Sequence, residues 1–75
     1  MVINTQNKDY NRIKAVLADH NRTSKWLAEQ LGKSENTVSR WCSNKSQPSI
    51  EIFDQISNLL NVDIRSLIRS NKEVR

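Results

Sequence analysis

The side chains in this sequence best suited to chemistry are hydrogen-bonding groups crowded into one short stretch. From Thr23 to Ser46 it reads TSKWLAEQLGKSENTVSRWCSNKS, with Glu35, Asn36, Thr37, Ser39 and Arg40 close together in its second half. Folding a small domain does not demand that set on one short segment. Reading base edges in a DNA major groove does use carboxylate, carboxamide, hydroxyl and guanidinium groups. Nucleophilic and metal chemistry lack comparable support. There is one Cys and one His, no Cys/His cluster at metal-ligand spacing, no catalytic pair of carboxylates, and no GxSxG or phosphate-binding glycine loop. No metal, cofactor or enzyme activity is expected, and His20 reads as a polar residue at a helix end.

The elements that must position these groups are two short helices and a tight turn. Thr23 is a good N-cap, and Leu27, Ala28 and Leu31 follow on one apolar face. Gly32 stops that helix, because glycine enters the left-handed conformation without steric cost. Ser34 caps a second helix, roughly Glu35 to Ser43, with an apolar stripe of Val38, Trp41 and Cys42. Counted from Ser24, the small Ala28 is fifth, Gly32 ninth and the β-branched Val38 fifteenth. A small residue permits a close, steep crossing, the glycine makes the turn, and Val38 locks the second helix onto the first.

The rest of the chain supplies a support. Residues 1–9 are expected to form a mobile arm. A first helix is predicted from Tyr10 to about Asp19, capped by Asp9, with Tyr10, Ile13, Val16 and Leu17 on its buried face. Lys8, Arg12 and Lys14 fall at its opening, where cations oppose the helix dipole. Trp26 is expected at the rim of the core and Trp41 within the packing. After the loop at Asn44–Pro48, Ser49 caps a fourth helix to about Leu60 through Ile52, Phe53, Ile56, Leu59 and Leu60. Asn61 can end it, Asp63 caps a short fifth helix through Ile64, Leu67 and Ile68, and residues 70–75 read as a charged tail. The resulting expectation is an all-α, five-helix domain over 10–69 with little room for a pocket.

Composition agrees with that frame. The chain has 75 residues, one glycine, one proline and a single cysteine, so no internal disulfide is available to it. The opening MVINTQNKDY has no long apolar run, which suggests neither signal peptide nor membrane span and a cytoplasmic protein. Net charge is +4, and from Arg22 to Lys45 the cations Arg22, Lys25, Lys33, Arg40 and Lys45 outnumber the acids Glu29 and Glu35. That excess sits where a footprint for phosphates would be.

The segments LAEQLGKSENTVSRW, KSQPSIEIF and LLNVDIRSL resemble the lambda repressor/Cro-like, or XRE-type, helix-turn-helix family over most of the chain, from about Asn11 to Ile68. The resemblance implies that the helix Glu35 to Ser43 lies in the major groove. On the matching positions, Asn36 would pair with adenine, Arg40 with guanine, Glu35 would accept from cytosine, and the Thr37 methyl would meet a thymine methyl, with Ser39 beside them. Thr23, Ser24, Lys25, Ser34, Asn44, Lys45 and Ser46 would grip phosphates. Two positions depart from the pattern. Ser24 stands where many relatives have glutamine, and Leu17 and Cys42 stand where many hold a buried Arg–Glu pair. With Cys42 in the core, Cys42→Glu alone is expected to cost on the order of 3 kcal/mol.

The function expected is sequence-specific binding of double-stranded DNA by a small transcriptional regulator. The resemblance further implies a homodimer on an inverted repeat, with no membrane association and no evident small-molecule effector. The alternative is an antitoxin-like or adaptor helical module whose main partner is a protein. That module would need a large apolar patch or a foldable tail. Single-stranded RNA binding would need aromatic stacking platforms, which the sequence does not supply.

Overall fold

The helix starts in this chain are set by short polar side chains, and the computed structural model, which describes residues 9–69, shows four of them at work. Helix α1 spans Ile13–Asp19, α2 Ser24–Leu31, α3 Glu35–Cys42 and α4 Ile50–Leu60, followed by a 3₁₀ turn at Ile64–Leu67. The Thr23, Ser34 and Ser49 side chains accept from the amides of Trp26, Thr37 and Ile52, and Asp63 accepts from that of Arg65. Each cap satisfies an amide that has no acceptor in a preceding turn. Asp63 is also paired with the Arg65 guanidinium at 3.2 Å, and the hydrogen bonds from Arg65 hold its carboxyl below the usual range. Gly32 closes α2 at φ 68°, and Asn61 closes α4 at φ 56°, both left-handed as expected.

The core is drawn from every element. Ile13, Val16 and Leu17 of α1 meet Leu27 and Ala28 of α2, Val38 and Trp41 of α3, and Phe53, Ile56 and Leu60 of α4, with Leu67 closing one end. Full burial of such aliphatic and aromatic side chains is worth about 1.5–3 kcal/mol each, so this cluster supplies the main drive to fold. Trp26 packs at its rim. Among the described residues there is no strand, only an isolated antiparallel bridge between Asn11 and Ile68. No helix of the described chain is long and apolar enough to cross a membrane.

Several expectations need correction. The first helix begins at Ile13 rather than Tyr10, and Asp9 does not cap it. Instead Asp9 lies 3.6 Å from Arg69, and the Asn11 carboxamide oxygen accepts from the Ile13 amide. Residues 10–12 are tied instead to the end of the 3₁₀ turn by hydrogen bonds from the Arg12 amide to the Leu67 carbonyl and from the Arg69 amide to the Tyr10 carbonyl. Tyr10 consequently stays 56% exposed instead of joining the core. The expected fifth helix is the 3₁₀ turn, ending at Leu67, with Ile68 outside it in the bridge to Asn11. Leu59 is exposed on α4, and Cys42 is half-buried at the edge of the core. Apart from Asp9, the arm expected over residues 1–9 lies outside the described residues, as does the tail over 70–75.

Candidate nucleic-acid interface

Helix α3 has a dry side and a wet side. Val38 is wholly buried and Trp41 nearly so, which fixes the rotation of the helix against α2 and α1. The same rotation leaves Glu35, Asn36, Ser39 and Arg40 exposed. Thr37 is half-buried beside them, and its hydroxyl oxygen accepts from the Ser34 hydroxyl at 2.9 Å. That leaves the methyl and one hydroxyl proton of Thr37 for any outside partner. Positions one turn apart on a helix share a face, so Glu35, Asn36, Ser39 and Arg40 make a single short polar row.

The residues expected around this row divide into two kinds. Lys25 and Lys45 are exposed, and neither is paired with an acid among the described residues. Thr23 and Ser34 serve as caps, and each hydroxyl accepts an amide of its own helix. Ser46 is half-buried, and its amide, with that of Lys45, donates to the Arg40 carbonyl. Those bonds hold the loop after α3 close to the helix end.

Asn44 has another occupation. Its carboxamide oxygen accepts from the Tyr10 and Asn11 amides, both at 3.0 Å, and from the Gln47 side chain, while its nitrogen donates to the Asn11 carbonyl. Asn11 answers by donating to the Trp41 carbonyl at 3.0 Å and to the Gln47 carboxamide oxygen at 2.7 Å. Asn11 is 4% exposed, so these partners are what permit its burial. The group ties the end of α3 to the entry of α1. Sequence reasoning missed Asn11 altogether and read Asn44 only as a phosphate contact. The available signal was an asparagine just past a helix end in a chain with one glycine, since asparagine tolerates the left-handed region and Asn44 sits at φ 61°.

Ser24, half-buried, lines a cleft of roughly 360 Å³ between α1 and the α2–α3 pair. Leu17, Ala18 and Cys42 form its apolar part, and Lys14 and Arg22 its charged part. Burial pushes the Cys42 thiol above its ordinary range, against the smaller opposing pull of the Lys14 ammonium. The guanidinium of Arg22 lies 4.5 Å above the centre of the Trp26 ring, a cation–π contact that restricts where it can point. Leu17 is buried, so of the two positions expected to form an apolar replacement for an ion pair, one lies in the core and the other at its edge.

A capped helix, a glycine turn, a second capped helix with an outward polar row, and two supporting helices together define a recognisable unit. The model of a helix-turn-helix family, HTH_3, matches residues 13–67. The chain belongs to the lambda repressor-like helix-turn-helix family. Among solved structures, the crystal structure of a "putative DNA-binding protein from Bacteroides fragilis" is similar at 65% identity with a TM-score of 0.79. The match covers 80% of this chain and 97% of that one. No curated protein matches. In this helix-turn-helix domain α2 and α3 are the two helices of the motif.

Proposed function

We infer that this helix-turn-helix domain binds double-stranded DNA sequence-specifically as a small transcriptional regulator, with α3 in the major groove. The observation that carries the reading is the orientation of α3. Its apolar side is consumed by the core, while Glu35, Asn36, Ser39 and Arg40 face solvent as a set whose side chains have no partner among the described residues. The family match and the description of the Bacteroides fragilis protein support the same reading. Asn36 would read adenine, Arg40 guanine and Glu35 cytosine, with the Thr37 methyl against thymine. Thr23, Ser24, Lys25, Ser34, Lys45 and Ser46 remain suited to phosphates, whereas the Asn44 side chain is committed to the fold. The protein acts as a homodimer on an inverted repeat, with half-site centres one helical turn, ~34 Å, apart.

The test is selection of bound duplexes from a random library, followed by titration of the selected site at several salt concentrations. Phosphate-driven binding loses roughly ten- to a thousand-fold in affinity between 50 and 200 mM salt. Arg40→Ala is expected to cost about 1–3 kcal/mol on the selected site and to relax preference at one base pair. Lys45→Ala weakens all duplexes alike. A folded protein that binds the selected site no better than mixed-sequence DNA would end this reading.

A further inference from the structure

Helix α4 hides a serine and shows a leucine. Ser57 is buried along with Phe53, Ile56 and Leu60, its hydroxyl donating to the Asp54 carbonyl, while Leu59 stays 37% exposed. An isolated exposed leucine needs no explanation, but Leu59 is not isolated. With Leu31, Gln30, Gln55 and Asn58 it lines a groove of roughly 310 Å³ between the end of α2 and the second half of α4. No charged side chain lines this groove, in a chain of net charge +4. The carboxamides of Gln30, Gln55 and Asn58 make no hydrogen bond among the described residues, unlike that of Gln47, which is taken up by Asn11 and Asn44. Charges of both signs flank the groove in sequence: Lys33 follows Leu31 by two residues, and Glu51 and Asp54 precede Gln55 and Asn58 by one turn. All three are exposed, and none is in an ion pair among the described residues.

A carboxamide donates and accepts at once, so it can pair with an identical copy of itself. A row of carboxylates or ammoniums would repel its own copy. The flanking charges can be satisfied by exchange, Lys33 of one copy with Glu51 or Asp54 of the other, twice over in a two-fold arrangement. The groove and its surroundings are thus complementary to themselves. We propose that the α2–α4 groove joins a second copy of this chain bound at a neighbouring site on the same duplex. The proposal rests on the DNA-binding reading above and extends it from one site to two. Size decides where the contact operates. Two leucines and three carboxamides fall far short of the ~20–30 residues a side of a stable interface, so free copies do not hold together through it. A shared duplex changes that balance, because tethered copies meet at an effective concentration in the ~millimolar range. Neighbouring inverted repeats are related by a two-fold axis midway between them, the symmetry that a self-matching patch requires. Gln30 and Leu31 also directly precede the turn into α3, so a copy placed by α3 carries the groove in a fixed position on the duplex.

The experiment uses the full chain, a duplex with one selected site, and duplexes with two whose spacing grows by single base pairs. The readout is the ratio of paired-site to lone-site affinity, in which a general charge effect on DNA binding cancels. At spacings that put both copies on one side of the helix, recurring every ~10.5 bp, wild type is expected to gain at least about 5-fold. Half a turn away the gain should vanish. Leu59→Ser, Gln55→Glu and Gln55→Lys should each remove it at every spacing. Gln55 is exposed, so its variants keep the fold. An equimolar mixture of the Gln55→Glu and Gln55→Lys proteins should regain a large part of the gain, since opposite charges then meet where like charges did. If wild type binds one selected site but shows no gain at any spacing, the contact is overturned while DNA binding stands. The same holds if all three variants keep the full gain, or if the mixture does no better than either variant alone. A loss of lone-site affinity in Leu59→Ser as large as its loss at paired sites would place the groove within the unit bound at one site, and the proposal would fall. If wild type binds no duplex, both readings fall.

Discussion

The cost of turning this backbone is carried by single residues. Four described positions are left-handed, one filled by Gly32 and three by asparagines, at φ 57° for Asn21, 61° for Asn44 and 56° for Asn61. A Cβ added at Gly32 would meet nothing within 4 Å, so the penalty for Gly32→Ala is the backbone conformation alone. It is expected to destabilise by about 1–2 kcal/mol, whereas Gly32→Asn should lose distinctly less, because asparagine accepts this conformation more readily. Urea midpoints check both, and equal losses would contradict a conformational cause. Gly32 and Asn61 were legible because each follows an apolar helical pattern. Asn21 and Asn44 were not, because an asparagine in a polar loop looks the same whichever way the backbone turns. Cys42 was misjudged for a related reason: helical spacing says which side a residue faces, not how far the neighbouring helix covers it. Since the thiol is half-buried and borders a cleft with Lys14, Cys42→Glu can reach water and a cation. Its cost is expected near 1 kcal/mol rather than the 3 of a core position. The raised thiol pKa has a separate consequence. The unfolded chain releases this proton near pH ~8.5, the folded chain only at higher pH, so the thiol's contribution is full below that value and declines above it. Iodoacetamide should therefore label native protein with a more alkaline onset than urea-unfolded protein.

Among the elements, α3 carries the largest functional burden on a short length. Eight residues are too few for a helix to be stable alone, so its caps and its buried side must hold it. The Ser34 hydroxyl accepts from the Thr37 amide at 3.0 Å and donates to the Thr37 hydroxyl at 2.9 Å. Ser34→Ala should cost about 1 kcal/mol of stability, within the usual range for an N-cap. It should also weaken duplex binding, since Thr37 loses its tether, while Ser34→Asp should keep most of the stability. An unchanged thermal midpoint for Ser34→Ala would argue against the cap. Such local signals explain why α2, α3 and α4 were readable from sequence within a residue or so. Helix α1 was not, because its start is decided by partners far along the chain. Tyr10 continues the apolar spacing of Ile13, Val16 and Leu17, yet its amide goes to Asn44 and its carbonyl to Arg69. The last element shows the same divide. The Asp63 cap was visible in the sequence, but its 3₁₀ geometry depends on the Ile68 amide reaching back only three residues, to Arg65.

At the scale of the whole molecule, one polar knot joins three distant parts of the chain: the entry to α1, the end of α3 and the loop before α4. Through the adjacent bridge from Asn11 to Ile68 it also reaches the exit of the 3₁₀ turn. Hydrophobic burial alone would let α1 slide or rotate slightly on the core, since apolar contact is non-directional. Hydrogen bonds from Asn11 and Asn44 remove that freedom and set the end of α3, whose Arg40 carbonyl in turn holds the Lys45 and Ser46 amides. Two substitutions at Asn44 separate its contributions. Asn44→Ala both strips the acceptor from the Tyr10 and Asn11 amides and places alanine at φ 61°. Asn44→Gly strips the same acceptor but relieves the backbone. If the side-chain bonds hold the knot, Asn44→Ala should lose about 2–4 kcal/mol, and Asn44→Gly should recover only the ~1 kcal/mol or so of conformational cost. Both variants should also bind the selected duplex less tightly under conditions where they remain folded, although every residue of the outward row is intact. Amide hydrogen exchange gives an independent readout, with protection falling at Asn11 and Lys45 before it falls at Val38. Wild-type stability in Asn44→Gly would mean that the knot merely accompanies the packing, and that the core by itself fixes how α3 is presented.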